Sequence, residues 1–545
     1  MHLFEKSYWK EKIQQTDWKL FVLLVLVLNV KLVVKLLVLS LFFVWQFRKI
    51  QFRRDLTEPH FLFYTGLLLI GMTNFMLQLG KFSLPLLFVN TMGALFWVLC
   101  AVSFLIALSL VRDGETGKML RTLDLFFLLH IGIIILNLMA IMVEIGDINP
   151  YTYKGLNQKY YMSTGDFIKG ISLDSPVSTA MICAFGVLYF LQRAKYAYAF
   201  ACMAGLLIMA SNLTNFFLLG VLVFLFFFKS NRNQKSMTVV FIGMMLIFTA
   251  RISPQNNEHI VSFVYKLIGK AYYLPPVKTV TREELKQMPD SVLSFEEKRK
   301  KTGLLYIDSV NGSKEKPGST IKTHTAPVVF IQKDTTRVFY EYRPSAVVAQ
   351  KENRFAGFLK EQYGAALKDS LQKQYDWEKP GKWIGYQQLC YFLKARPWKL
   401  ILGNGMGNFS SRLAFKATAL EIAGAYPQRY VYIHPDFKNS HLFTYLNYHA
   451  QWQIKHTAAN TPDAVYAQLL GEYGIAGVLL FLLLFVGYSL KQYRLLSFAF
   501  PVLMLLLAAC LVDYWYEQLS VVILFEVMLL IDIKLNRKEG VVHAA

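Results

Sequence analysis

The chain has 545 residues, of which 54% are hydrophobic and 17% are charged, and its net charge is +22 at pH 7. About a quarter of the residues of an average soluble domain are charged, so this composition excludes an ordinary soluble protein. The apolar residues form long runs, such as 61–79 and 84–111. A helix of ~20 residues crosses a hydrocarbon core, and the sequence therefore predicts an all-α polytopic membrane protein.

In chain order, the apolar runs predict ten separate spans and one ambiguous stretch. The ambiguous stretch, 18–46, is too long for one ordinary span and carries Lys31 and Lys35 near its middle. It forms either one long tilted helix or a hairpin of two short helices, so the predicted number of spans is 11 or 12. The ten predicted spans are 61–80, 84–111, 119–145, 175–191, 197–211, 213–229, 236–250, 474–490, 496–513 and 518–533.

The orientation of the spans follows from the lysine and arginine bias of the short loops. Six basic segments fall on one side, which is predicted to be the cytoplasm, and the basic N-terminus favours the 12-span hairpin. The large loop then faces the periplasm of a bacterial inner membrane, and the C-terminus is cytoplasmic. The six basic segments are 48–54, 112–121, 193–195, 229–235, 491–494 and 534–538.

These features predict three parts: an N-terminal membrane block (1–250), a large loop (251–472) and a C-terminal membrane block with a cytoplasmic tail (473–545). Within the loop, 280–350 is a polar decoration with short β-leaning runs at 326–331 and 336–340. The part from 380 to 472 is mainly helical and holds the candidate site. No P-loop and no zinc-ligand spacing occurs, so the sequence predicts no metal and no cofactor.

The second half of the loop is basic and contains a glycine-rich turn. Pro397 ends a predicted helix, and Gly403, Gly405 and Gly407 follow at alternating positions. Such a turn leaves backbone amides exposed that would cradle a phosphate, although glycine-rich turns are often plain turns. Basic residues beside a membrane favour anionic partners, namely lipid headgroups, lipid-linked pyrophosphates or acidic glycans; a solvated basic face is the alternative. Nucleic acid is not an expected partner.

Four histidines follow among aromatic residues. Histidine is a natural general base near neutral pH, and the spacing of these four fits no metal site. Ordinary surface histidines are the alternative interpretation. Thr461 or Asp463 would cap the next helix. On that helix, Glu472 is either structural or orients a base or an acceptor hydroxyl. The four histidines are His434, His441, His449 and His456.

Two motifs in this order resemble the O-antigen ligase and O-antigen polymerase family of bacteria. The stretch 397–409 (PWKLILGNGMGNF) is similar to the family pattern P-x-x-G-x-G-x-G-N-F. The stretch 466–477 (YAQLLGEYGIAG) is similar to a second pattern, which leads into the span after the loop. The resemblance implies a GT-C-like, metal-independent membrane glycosyltransferase. Such an enzyme transfers or polymerises a glycan from an undecaprenyl-pyrophosphate carrier onto an acceptor.

The resemblance also implies roles for residues of this chain. Asp463 stands where the family often has a histidine, so Asp463 or His456 is the expected base, with Glu472 beside it. Lys382 stands where the family has an arginine, and Arg251 and Arg412 are candidates to replace an arginine that is missing near 211–215. The expected substrate-binding residues are Arg251, Lys382, Lys399, Arg412, His434 and His441.

Two other functions stay open at this point. One is a non-catalytic glycan-binding or assembly subunit of a cell-envelope complex on the same scaffold, with a partner chain. The other is a transporter, which ionisable residues inside the spans would favour, although no inverted repeat is evident. The candidate intramembrane residues are Asp124, His130, Glu144 and Glu526.

Overall fold

The computed structural model describes residues 15–26, 32–152, 164–171, 176–209, 211–228, 230–253, 286–287, 375, 379–418, 426–445 and 461–544. The chain divides into two units, one made of 1–260 with 363–545 and the other of 261–362. The described residues are mostly helical, and no strand occurs among them, which confirms the helical class of this part. The β-leaning runs predicted within 280–350 lie outside the described residues.

Thirteen helices of the described part are used in the account below. They are α1 (Trp18–Leu26), α2 (Leu32–Gln46), α3 (Pro59–Leu77), α4 (Leu84–Asp113), α5 (Thr116–Ile145), α6 (Pro176–Gln192), α7 (Tyr196–Ile208), α8 (Asn212–Phe228), α9 (Arg232–Ile247), α10 (Gly381–Ala395), α11 (Val465–Leu480), α12 (Ala499–Ala509) and α13 (Leu519–Ala544). Shorter helical turns include Phe248–Ile252, Lys399–Leu402, Arg412–Lys416, Pro435–Phe437, Lys438–Leu442, Phe481–Val486, Gly487–Lys491 and Trp515–Glu517.

Five helices of the described part are long and apolar enough to cross a membrane, and four more are apolar but shorter. This supports a membrane-embedded helical protein, while the predicted number of 11 or 12 spans stays a prediction. The ambiguous stretch 18–46 contains two helices, α1 and α2, with residues between them outside the described part. The five long segments are Pro59–Leu77, Leu84–Asp113, Thr116–Ile145, Arg232–Ile252 and Val465–Lys491.

Helices α6 and α13 form the centre of the bundle. Every residue of α6 from Ser178 to Leu191 is buried, and so is α13 from Leu519 to Ile533. A helix that is apolar around its whole circumference is buried on all sides, whereas a helix at the surface shows one apolar stripe. Both sequences lack such a stripe, which explains their central position.

Helix α4 contacts different parts of the chain at its two ends. Near the C-terminus of α4, the Lys534 ammonium donates to the carbonyls of Val111 and Arg112, at 2.7 and 2.8 Å. Near its N-terminus, the Phe88 ring stacks on Tyr430 with ring centroids 4.2 Å apart. The glycine-rich turn and residues 426–430 therefore pack at the end of the bundle opposite to Lys534.

Two acidic side chains of the bundle have partners among the described residues. The Glu526 carboxylate accepts a hydrogen bond of 2.7 Å from the Tyr64 hydroxyl and lies 3.0 Å from Nδ1 of His60, and all three residues are buried. Asp124, another intramembrane acid, pairs with Lys195. Ionisable groups inside a membrane are costly unless they are paired, and these contacts pair them.

Candidate functional site at one end of the bundle

The glycine-rich turn depends on backbone conformations that only glycine adopts readily. Gly403, Gly405 and Gly407 have φ values of +73°, +91° and +70°. A β-carbon on Gly403 would lie 2.3 Å from the backbone carbonyl carbon of Glu472. Gly474, at a kink inside α11, also has a positive φ of +68°, and a β-carbon there would lie 2.4 Å from the carbonyl oxygen of Ile401. The turn and the kink of α11 therefore interlock backbone against backbone.

The amides of this turn are occupied by a carboxylate of the same chain. Glu472 accepts hydrogen bonds from the N–H groups of Gly407 (3.0 Å), Phe409 (3.2 Å) and Ser410 (3.0 Å), and the residue is 1% exposed. Its backbone carbonyl also accepts from the Gly405 N–H, at 2.9 Å. Because Glu472 binds these amides, the contacts favour the plain-turn alternative over a phosphate cradle. The catalytic role of Glu472 stays a prediction, and these contacts favour its structural alternative.

A second carboxylate holds the residues that follow the turn. Glu517 accepts from the N–H groups of Arg412 (3.0 Å) and Leu413 (3.1 Å), and from the side-chain amide of Gln468 (2.7 Å). Burial raises the pKa of Glu517 to about 7, against the opposing effect of the cations Arg412 and Lys416. Glu517 thus fixes the start of the short helix Arg412–Lys416.

Two residues that the resemblance singled out are joined directly. The ammonium of Lys382 lies 2.8 Å from Oδ1 of Asp463, and it also donates to the Asp463 carbonyl oxygen. Lys382 is buried and Asp463 is partly buried. Gly385, one turn further along α10, allows this approach because a β-carbon there would lie 3.0 Å from Pro462. The expectation that Thr461 or Asp463 caps α11 is wrong, since the N-cap is Ala464 and makes no side-chain cap.

Asp513 belongs to the same group of charges. Burial and the neighbouring Asp463 raise its pKa to about 6, against the opposing charges of Lys382 and Arg412. Its Oδ1 accepts a hydrogen bond of 2.6 Å from the N–H of Tyr514, and the residue is partly exposed. We call Lys382, Arg412, Asp463, Asp513 and Glu517 the charged cluster.

Two hydrogen bonds to backbone carbonyls join the end of α12 to α10 and α11. The N–H of Val465, at the start of α11, donates to the carbonyl of Cys510 at 3.0 Å. The hydroxyl of Tyr386 on α10 donates to the carbonyl of Leu511 at 3.1 Å. The end of α12 is thereby fastened to both α10 and α11, which brings Asp513 beside Lys382 and Asp463.

The two predicted histidines in the described part support the surrounding backbone. His441 is fully buried, and its Nε2–H donates to the carbonyl of Gly385 at 3.1 Å. Burial lowers the pKa of His441 to about 4, so the ring is neutral at physiological pH. Nδ1 of His434 accepts from the side-chain amide of Asn404 (3.1 Å) and from the N–H of Asp436 (3.2 Å). His434 thereby links the glycine-rich turn to the residues after 434.

The remaining predicted residues lie outside the charged cluster. Arg251 is exposed in the turn Phe248–Ile252, which Asn149 contacts through a hydrogen bond of 3.1 Å to the Ile252 carbonyl. No contact among the described residues joins Arg251 to the cluster. Lys399 lies near Asp436 and lowers the pKa of that carboxyl, although burial raises it overall. His449 and His456 lie outside the described residues, so their roles stay predictions.

Several residues of the site were missed from the sequence. Asp513 is the last residue of the predicted span 496–513, and Glu517 lies in the loop that follows it; between them are three aromatic residues, 514–516. Two acids so close together at a predicted membrane surface were the sequence feature that could have identified these residues. Asp436 pairs with Arg396 and accepts from the Asn404 amide at 3.1 Å, and no sequence pattern pointed to these contacts.

Outside the charged cluster, the other candidate sites in the described part of the chain would be grooves or metal sites. A groove of about 490 Å³ between α8 and α9 is lined by Phe226, Ser230, Arg232, Lys235, Ser236 and Val239, and none of these is an acid–base group near neutral pH. Among the described residues, no group of three or more His, Cys, Asp or Glu could hold a metal ion. The charged cluster is therefore the candidate functional site of the described part.

Comparison with known proteins finds no matching family model, no matching curated protein and no matching solved structure.

Proposed function

We propose that this protein is a membrane glycosyltransferase that moves a glycan from a lipid-linked diphosphate onto a hydroxyl acceptor, and that the charged cluster is its reaction site. The observation that carries the proposal is the meeting of the two family-like motifs at this cluster. Glu472 of the second motif holds the turn of the first through three hydrogen bonds. Lys382 and Arg412, with Asp463 and Asp513, lie beside that junction.

The chemistry of this transfer matches the residue types of the cluster. When the glycosidic bond to the diphosphate breaks, negative charge develops on the leaving group, and fixed cations stabilise it. The acceptor hydroxyl must lose its proton, which requires a carboxylate or another base nearby. Lys382 and Arg412 provide the cations, and the cluster holds carboxylates. Neither a nucleotide nor a metal ion is required by this scheme.

The position of the cluster suits a substrate anchored in a bilayer. Asp513 and Glu517 lie in the connection between α12 and α13, at one end of these apolar helices. A polyprenyl chain would lie among lipid tails, and its diphosphate would lie at the level of these helix ends. We place this end at the periplasmic face of a bacterial inner membrane, and the C-terminus in the cytoplasm, on the lysine and arginine bias of the loops. The expected partners are membrane lipids, the lipid-linked donor and the glycan acceptor.

The first experiment measures donor binding without any glycan. The purified protein in lipid nanodiscs is titrated with undecaprenyl diphosphate, and binding is followed by native mass spectrometry. We expect Arg412→Gln and Lys382→Met to weaken binding about tenfold or more, because each removes a cation. Lys394→Met is the matched control, since Lys394 is exposed near the other end of the helix that carries Lys382. Unchanged binding in both cluster variants would refute the assignment.

The second experiment measures transfer itself. Lipid-linked oligosaccharide from the bacterium that encodes this protein is incubated with the nanodiscs and with acceptor-containing membranes. The release of undecaprenyl diphosphate is then monitored. We expect release with the unaltered protein and a loss of release in Arg412→Gln. A protein that binds the lipid diphosphate but never consumes the donor would contradict the proposed activity.

One observation favours a second candidate, a non-catalytic subunit of an envelope complex. Backbone amides that would bind a phosphate are filled by Glu472 and Glu517, and Asp463 neutralises Lys382. Such internal pairing stabilises a scaffold without serving a substrate. This candidate predicts that Arg412→Gln leaves lipid diphosphate binding unchanged, and it is contradicted by donor turnover in the purified protein.

A further inference from the structure

We propose that Asp513 is the catalytic base that takes the proton from the acceptor hydroxyl. This inference rests on the proposed function and names a residue that neither the motifs nor the resemblance indicated. Asp513 follows α12, whose end is hydrogen-bonded to both α10 and α11, and the charges of Lys382 and Arg412 act on it. It therefore stands beside the place where a diphosphate leaving group would be held.

The other carboxylates at this junction are committed to structural contacts. Glu472 accepts from three backbone amides and is buried, and Glu517 accepts from two backbone amides and from Gln468. Asp436 is held by Arg396 and Asn404, and Asp463 is bound to Lys382. At equal burial, a carboxylate that accepts several hydrogen bonds or is paired with a cation is a weaker base than one that accepts a single hydrogen bond.

Asp513 differs from these four in its contacts, since no ion pair among the described residues involves it. Within the described part of the chain, its side chain has one hydrogen bond, from the N–H of Tyr514 to Oδ1. The residue is partly exposed, and no hydrogen bond among the described residues reaches its other oxygen. A carboxylate has about four lone-pair sites, and one amide leaves most of its accepting capacity available.

The charges that face Asp513 come from each neighbouring element. Asp463 precedes α11, Lys382 lies on α10, Arg412 lies on the short helix after the glycine-rich turn, and Cys510 ends α12. Burial and Asp463 raise the pKa of Asp513 to about 6, whereas Lys382 and Arg412 lower it. A base whose pKa lies near the working pH is both deprotonated and basic enough to accept a proton in the transition state.

The proposed step balances without any further reactant. The Asp513 carboxylate accepts the proton of the acceptor hydroxyl while the hydroxyl oxygen forms a bond to the anomeric carbon of the donor glycan. The bond from that carbon to the diphosphate oxygen breaks, and the electron pair stays on the lipid-linked diphosphate, which Lys382 and Arg412 stabilise. The proton on Asp513 is released to water afterwards.

The test is a pH profile of donor turnover in nanodiscs for the unaltered protein and four variants. We expect Asp513→Asn to lower turnover by about 10² to 10⁴ fold and Asp513→Glu to restore part of it. The unaltered protein should lose activity as the pH falls through about 6, where Asp513 takes up a proton. Asp463→Asn should move this limb to lower pH, because it removes a negative neighbour. Lys382→Met should move the limb to higher pH, because it removes a positive one.

The outcomes separate this inference from the proposed function. Asp513→Asn must still bind undecaprenyl diphosphate and must elute as a monodisperse protein, which shows that only the chemical step is lost. Turnover by Asp513→Asn near the unaltered rate would overturn the inference, and so would abolished turnover in Asp463→Asn with an unshifted limb in Asp513→Glu. If the unaltered protein neither binds nor consumes the donor, the proposed function fails and the role of Asp513 as its base fails with it.

Discussion

The carboxylate of Glu472 accepts a hydrogen bond of 3.0 Å from the backbone N–H of Gly407, and it thereby joins the kinked helix α11 to the glycine-rich turn. Two more amides of the turn donate to the same carboxylate. The Glu472 side chain therefore joins the stretch 466–477 to residues 407–410.

Replacement of Glu472 by glutamine should destabilise the protein. The glutamine amide has one acceptor oxygen in place of two, and its NH₂ group would face a backbone donor. We expect a loss of about 2–3 kcal/mol, measured as a lower melting temperature in detergent. Glu115→Gln is the control, because Glu115 is exposed and pairs only with Lys118 among the described residues. A Glu472→Gln protein that melts like the parent but has no turnover would instead support a catalytic Glu472.

The interlocked glycines should tolerate no side chain. Gly403→Ala combines a backbone conformation (φ +73°, ψ −160°) that essentially only glycine adopts with a β-carbon 2.3 Å from the backbone of Glu472. Gly146→Ala is a control for a positive φ alone, since Gly146 is in the left-handed helical region (φ +71°, ψ +24°) and has no atom within 4 Å of its β-carbon. We expect Gly146→Ala to fold with a small loss of stability and Gly403→Ala to yield little folded protein by size-exclusion chromatography. Similar yields of the two variants would show that the turn can move away from α11.

Much of the helical architecture was predictable from the sequence, because it depends on local apolar runs. The predicted run at 84–111 is the helix Leu84–Asp113, and the run at 119–145 lies within Thr116–Ile145. A helix was predicted to start just after Thr461 or Asp463, and α11 begins at Val465. It bends at Gly474, the first residue of the predicted span 474–490.

The contacts of the candidate site were less predictable, because they join distant parts of the chain. Sequence reasoning selected Lys382 and Asp463 separately, and only the fold shows that each is the partner of the other. The glycine spacing correctly indicated a tight turn, but no local pattern shows that Glu472 fills it. Asp513 was missed because its role depends on charges from three other elements.

The ion pair of Lys382 and Asp463 should show strong energetic coupling. Their side chains are 10% and 20% exposed, so removal of one partner leaves a largely buried charge. We expect Lys382→Met and Asp463→Asn each to cost about 2–4 kcal/mol, and the double variant to cost less than the sum of the two. A double-mutant cycle of melting temperatures measures this, with Lys394→Met as the control. Additive effects would show that the pair contributes no coupling energy.

The stability of the protein should fall with rising pH because of Glu517. Burial raises its pKa from the ordinary value of 4.5 to about 7 in the folded protein. A carboxyl whose folded pKa is raised binds its proton more tightly in the folded state. Below about pH 4.5 this group therefore does not destabilise the folded state. As the pH rises to about 7, the free energy of unfolding falls by at most about 3 kcal/mol.

Glu517→Gln should remove this part of the pH dependence, since glutamine does not titrate. We expect the difference in melting temperature between pH 5 and pH 8 to be smaller in Glu517→Gln than in the parent protein. Glu115→Gln again serves as the control and should keep the parental difference, because Glu115 is exposed. The same pH dependence in Glu517→Gln and in the parent would mean that Glu517 is ionised in the folded protein throughout this range. Its hydrogen bonds from Arg412, Leu413 and Gln468 would then outweigh the cost of its burial.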